Sequence, residues 1–134
     1  MVIDTSALIA ILLDEPERRA FTEAIESAES RTVSAATLLE TAIFVESRFG
    51  PEGASDLDHL LETADVEVAP VDVEQLRIAR RAFSRYGKGR HAAGLNFGAC
   101  FAYALAQALG EPLLFKGDDF GRTDVEAAVP AKRS

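Results

Sequence analysis

Short apolar runs alternate along the chain with longer stretches in which apolar residues recur at helical spacing. Val2-Ile3 is such a run; it stops at Asp4 and reads as a buried strand. Thr5 or Ser6 can cap the helix that follows, through about Leu13. Pro16 stands at the front of a second helix, Glu15 to Ser27. Arg31 to Ser34 reads as the next strand. Ala36 to Phe49 has helical periodicity, with Leu39, Ala42, Ile43 and Val45-Glu46 on alternating faces, and Gly50-Pro51 ends it. A helix from Glu52 to Thr63 carries Leu57, Leu60 and Leu61 at helical spacing. Val66 to Val68 is a third strand, closed by Pro70. Asp72 can cap a helix to Tyr86 that turns Leu76, Ala79 and Phe83 inward. Gly87 to Asn96 is a Gly-containing loop, and Phe97 to Leu109 is a strongly apolar helix ended by Gly110. Pro112 to Phe115 is a fourth strand and Thr123 to Val125 a fifth.

Strands that alternate with helices, and that are short, continuous and apolar, predict an α/β domain with a parallel sheet of about five strands covered on both faces. In such sheets ligands bind outside the carboxyl ends of the strands. Asp4 ends the first strand, and Asp118 and Asp119 follow the fourth by a few residues. Right-handed crossovers bring these ends to one edge.

The 134 residues fit one domain, 1–134, and 48% hydrophobic residues are enough for a real core. The single cysteine, Cys100, excludes an internal disulfide and suits a reducing, cytoplasmic setting. The start reaches Asp4 at once and has no basic leader, so no signal peptide or membrane span is expected. The net charge of −8 would repel nucleic acid if it were spread evenly. It is not: Arg77, Arg80, Arg81, Arg85, Lys88 and Arg90 form a stretch with no acid among them. Subtracting those six positive charges from −8 leaves −14 on the rest of the chain. Such polarity can set an acidic site beside a basic, RNA-gripping surface. Arg77, Arg81 and Arg85 share a helix face by their spacing. A solvated face and a phosphate-binding face are comparable readings of them.

Taken singly, each acid has a plain structural explanation. Asp4 can cap a helix, Glu40 can face solvent, and Asp118-Asp119 can form a turn. Taken together they are a cluster of carboxylates whose mutual repulsion a cation would relieve. All-oxygen ligation is the chemistry of Mg²⁺ or Mn²⁺, which can position a water for attack on a phosphodiester. No transition-metal site competes, since His59 and His91 are isolated and Cys100 has no partner cysteine. A receiver-type phosphoacceptor domain would need a pair of acids after the first strand, and a haloacid-dehalogenase-type phosphatase would need Asp-x-Asp. The chain has Asp4-Thr5-Ser6.

Four segments, MVIDTSALIAIL, TLLETAIF, LNFG-x-CFAYALAQALG and LLFKGDDFGRTDV, resemble in content and order the PIN-domain toxins of VapBC toxin–antitoxin systems. The resemblance covers nearly the whole chain. It implies a three-layer α/β/α domain and a Mg²⁺- or Mn²⁺-dependent endoribonuclease acting on structured RNA such as tRNA or rRNA. It also implies a VapB-type antitoxin that blocks the acidic pocket, and a homodimer or toxin–antitoxin hetero-oligomer. Position by position, Asp4 matches the family's first metal-binding Asp and Glu40 its helix Glu. Asp118 matches the last Asp, with Asp119 the alternative. Thr5, Ser6 and Asn96 stand where polar residues support the site, and Lys116 where a phosphate contact is possible.

The departure is Ala99, where the family's third acid should begin the last long helix. A methyl group binds no metal, while alanine is the best helix former, so the fold should be untouched and catalysis impaired. A second reading follows from the same residue: a non-catalytic PIN-like protein that binds antitoxin or RNA without cutting.

Overall fold

The computed structural model describes residues 1–130; the last four residues of the expected 1–134 domain lie outside the described residues. Four strands form one parallel sheet: β1 (Val2–Ile3), β2 (Thr32–Ser34), β3 (Glu67–Ala69) and β4 (Leu113–Leu114), in the order β3-β2-β1-β4. Val2 pairs with Thr32 on one side and Leu113 on the other, and Ile3 pairs with Leu114. The helices are α1 (Thr5–Leu12), α2 (Arg18–Ser27), α3 (Ala35–Thr63), α4 (Val73–Tyr86) and α5 (Phe97–Leu109).

Alternation along the two central strands builds the layers. Side chains on a strand point to opposite faces in turn. Ile3 and Leu114 therefore enter a core with Leu8 and Ile11 of α1, Phe21 and Ile25 of α2, and Val45 and Leu57 of α3. Their neighbours Val2 and Leu113 enter a second core with Ala82 and Tyr86 of α4 and with Ala102, Leu105 and Ala106 of α5. Helices thus cover both faces, the three-layer arrangement expected.

Several sequence expectations change. The first helix is capped by Asp4, whose carboxylate accepts from the Ser6 N–H at 3.0 Å, and not by Thr5 or Ser6. The second begins at Arg18, with Pro16 in the preceding turn. Helix α3 runs through Gly50-Pro51 with a kink: Gly50 takes φ 66°, which only glycine adopts freely, and Pro51 has no N–H to lose. β3 is an edge strand with Glu67 and Val68 exposed, not a buried one. The expected fifth strand at Thr123–Val125 is absent. In its place come a 3₁₀ turn (Phe120–Arg122) and one parallel bridge between Leu113 and Ala127. Helix α4 has the expected span and its Asp72 cap, but its phase is rotated by one residue. It buries Gln75, Ala82 and Tyr86, and leaves Leu76 and Phe83 exposed. The buried Gln75 amide donates to the Pro70 carbonyl at 3.1 Å, so burying it leaves no orphaned donor.

Candidate active site

At the carboxyl ends of β1 and β4 an open cavity is lined by Asp4, Thr5, Ser6, Glu40, Asn96, Ala99 and Asp119. The Asp4 N–H donates to the Leu114 carbonyl at 3.0 Å, which fixes the carboxylate at the strand's last rung. Only 6% of Asp4 is exposed. Its Oδ2 accepts from the Ser6 hydroxyl at 2.7 Å as well as from the Ser6 N–H. Burial pushes the Asp4 carboxyl above the ordinary carboxylate range; the Ser6 hydrogen bonds oppose the rise and the Glu40 charge adds to it. The Ser6 hydroxyl also accepts from the Lys116 N–H at 3.0 Å, so one hydroxyl ties the β1–α1 junction to the loop after β4.

Glu40 stands on α3, and its Oε1 accepts from the Thr5 hydroxyl at 2.8 Å. Beneath it the fully buried Thr41 hydroxyl donates to Thr5 Oγ1 at 2.9 Å. Asn96 caps α5 by accepting from the Ala99 N–H at 2.9 Å. Ala99 thus sits in the first turn of α5 with its methyl group at the cavity. Two adjacent carboxylates and a third lining acid are the right donor types for a hard divalent cation. They are not a complete set, because among the described residues no three His, Cys, Asp or Glu side chains converge on one point. Ala99, which also lines the cavity, brings a methyl group and no side-chain oxygen.

Both acids after β4 are exposed, and of the two only Asp119 lines the cavity. Gly117, just before the two acids, takes φ 101°, and Asp119 leads into the 3₁₀ turn whose Phe120 is buried. Lys116 lines the cavity too, but its ammonium is held by Glu15 at 3.1 Å and Glu17 at 3.2 Å. Those two hydrogen bonds raise its pKa. His91 accepts from the Ala93 N–H and meets the Tyr86 ring edge-on, the contacts of a loop residue. Arg77, Arg80, Arg81 and Arg85 line a shallow surface groove on α4. Among the described residues none of these four, nor Lys88 or Arg90, makes an ion pair. Arg85 lies over the Tyr86 ring and Arg90 over Phe83. Sequence reasoning missed Thr41, for which a threonine one residue after Glu40 was the only available signal.

The PIN-domain family model matches residues 1–126, which take in every cavity residue named above. The chain belongs to the PIN-domain family. It is 56% identical over 127 residues to a protein of Mycolicibacterium smegmatis named ribonuclease VapC, covering 95% of this chain and 98% of that one. This makes it a PIN domain of the VapC type. Among solved structures the fold is similar to that of VapC20 of Mycobacterium tuberculosis, described as a sarcin-ricin loop cleaving toxin. The TM-score is 0.74, with 17% identity and coverage of 92% of this chain and 95% of that one. It is also similar to a chain in a toxin–antitoxin complex from Klebsiella pneumoniae, with a TM-score of 0.68, 18% identity and 92% of each chain covered. The four-stranded parallel sheet between helices is therefore the PIN fold.

Proposed function

We propose that this chain is the toxin of a type II toxin–antitoxin pair, built as a metal-dependent endoribonuclease and disabled at Ala99. The observation that carries the reading is the pair Asp4 and Glu40 held beside Ala99 at the carboxyl edge of the sheet. The VapC ribonucleases to which it is similar support the reaction class. With a carboxylate at position 99, Asp4, Glu40 and Asp119 would complete an all-oxygen site for Mg²⁺ or Mn²⁺. Asp119 is preferred to Asp118 because it lines the cavity. The bound ion would supply activation of water and charge neutralisation at the phosphodiester.

The residues divide the remaining work. Ser6 and Thr5 aim the two carboxylates through their hydroxyls. Asn96 fixes the start of α5. The unpaired basic face of α4 (Arg77, Arg80, Arg81 and Arg85), with Lys88 and Arg90 after it, suits the backbone of an RNA, a contact that positions without reading sequence. Lys116, already paired with two glutamates, is the weakest phosphate candidate. Leu39 and Ile43 flank Glu40 on α3 and are more than half exposed, as is Phe97 at the start of α5. Apolar area of this kind at the rim of a site suits an antitoxin segment or a second copy. A toxin that acts on RNA would work in the cytoplasm, where its substrate is. No helix among the described residues is long and apolar enough to cross a membrane.

The deciding experiment places this chain and Ala99→Asp side by side on total RNA with Mg²⁺, Mn²⁺ or EDTA. Cleavage by Ala99→Asp alone, lost in EDTA and on adding Glu40→Gln, is the expected result. Two folded proteins that cut no RNA would overturn the enzyme reading and leave a binding protein.

A further inference from the structure

We infer that Gly98 is a positioning residue that sets the place of the Glu40 carboxylate in the acidic site. Glu40 Oε1 is fixed by Thr5, as described, but its other side rests on the backbone of α5. A Cβ at position 98 would collide with Glu40 Oε2 and stand 2.5 Å from its Cδ, far inside any real contact. No side chain other than hydrogen fits there while Glu40 keeps its present place.

The backbone gives no other reason for a glycine. Gly98 is buried within α5, and its φ does not fall in the left-handed region, in contrast to Gly94 and Gly110 on either side of the helix. In a helix alanine is the better former, so the fold by itself would favour the change Gly98→Ala. What collides is the far end of a flexible side chain on an exposed residue, and that end can swing into solvent. Gly98→Ala therefore costs the fold little and costs the site a carboxylate. Adjacent positions in the first turn of α5 have distinct tasks: residue 98 is a notch that receives Glu40, and residue 99 faces the cavity. The effect on metal binding rests on the reading of Glu40 as a metal-site carboxylate.

The test uses the full chain in two backgrounds. In Ala99→Asp, Mn²⁺ alone is titrated by calorimetry with and without Gly98→Ala, alongside thermal melts in EDTA. The expected result is at least a tenfold loss of Mn²⁺ affinity with the melting temperature unchanged or raised, and partial recovery of affinity when Glu40→Asp shortens the displaced side chain. Affinity within twofold of the Ala99→Asp protein would overturn the inference. So would a lowered melting temperature that Glu40→Ala does not relieve, since the glycine would then serve the fold. If Ala99→Asp binds no Mn²⁺ at all, the metal reading fails. A crystal structure of Gly98→Ala in the chain as it stands then decides the notch. A Glu40 carboxylate turned away from the Thr5 hydroxyl supports it, and one still hydrogen-bonded to Thr5 overturns it.

Discussion

Helices α1 and α5 begin in the same way, and both starts open onto one cavity. Each is capped by a side-chain oxygen that accepts a backbone N–H: Asp4 from Ser6, and Asn96 from Ala99. The two caps differ in what else they do. At α1 a single buried carboxylate both ends the strand's hydrogen bonding and faces the cavity, so structure and chemistry share one group. At α5 the tasks are split between two residues: neutral Asn96 caps, and position 99 faces the cavity. A site residue separated from the cap can be lost to a methyl group without disturbing the helix, whereas Asp4 has no such freedom. Helix starts also favour negative charge through their unpaired N–H groups, so either one can carry an acid.

The largest expected effect lies at position 99. Ala99→Asp should raise metal-dependent RNA cleavage by at least about a hundredfold, the upper end of what even outer-shell changes cost metal sites. Without metal the same change adds a like charge beside Asp4 and Glu40. Stability in EDTA should fall by about 1 kcal/mol, the equivalent of displacing one carboxyl pKa by a unit, and Mn²⁺ should restore it. Asn96→Ala should cost about 1 kcal/mol in a denaturant melt, as loss of a cap does, while Asn96→Asp should be near neutral. A loss on Asn96→Asp equal to that of alanine would show that charge, not capping, governs this start.

Asp4 also makes stability depend on pH. The folded chain binds a proton at Asp4 more tightly than the unfolded chain does. The associated stability is present below the ordinary value of 3.8 and is lost as pH rises through the raised folded value. Asn can keep the cap without the buried charge. Asp4→Asn should therefore raise the melting temperature at neutral pH, and the gain should shrink as pH falls toward 3.8. A gain that does not vary with pH would mean that burial of the charge is not its cause.

The sheet and both cores were legible because β1 and β4 each place two apolar residues in succession, and a parallel strand covered on both faces needs that. Asp4 and Glu40 were legible because each interrupts an apolar run. The phase of α4 was not, because its inner face includes Gln75 and Tyr86, polar-tipped residues whose burial depends on partners such as the Pro70 carbonyl. Asp118 and Asp119 are adjacent acids, so no side-chain pattern told which of them lines the cavity; Asp119 does. Gly98 has no periodic signature at all; its meaning appears only when Glu40 arrives from a different helix. Apolar residues of α1 and α3 differ in what they cover, since Leu8 and Ile11 are core while Leu39 and Ile43 are exposed.

The unpaired cations of α4 and of the loop after it also concentrate positive charge in one stretch of an acidic chain. Six positive charges lie between positions 77 and 90, on a protein whose net charge is −8. At low salt such a protein should migrate as an acid in an electrophoretic field and yet be retained by heparin or a cation exchanger, because a charged matrix samples the nearest face before the total. Its behaviour on a column would thus report the face it turns toward a polyanion, whether or not it can cut one.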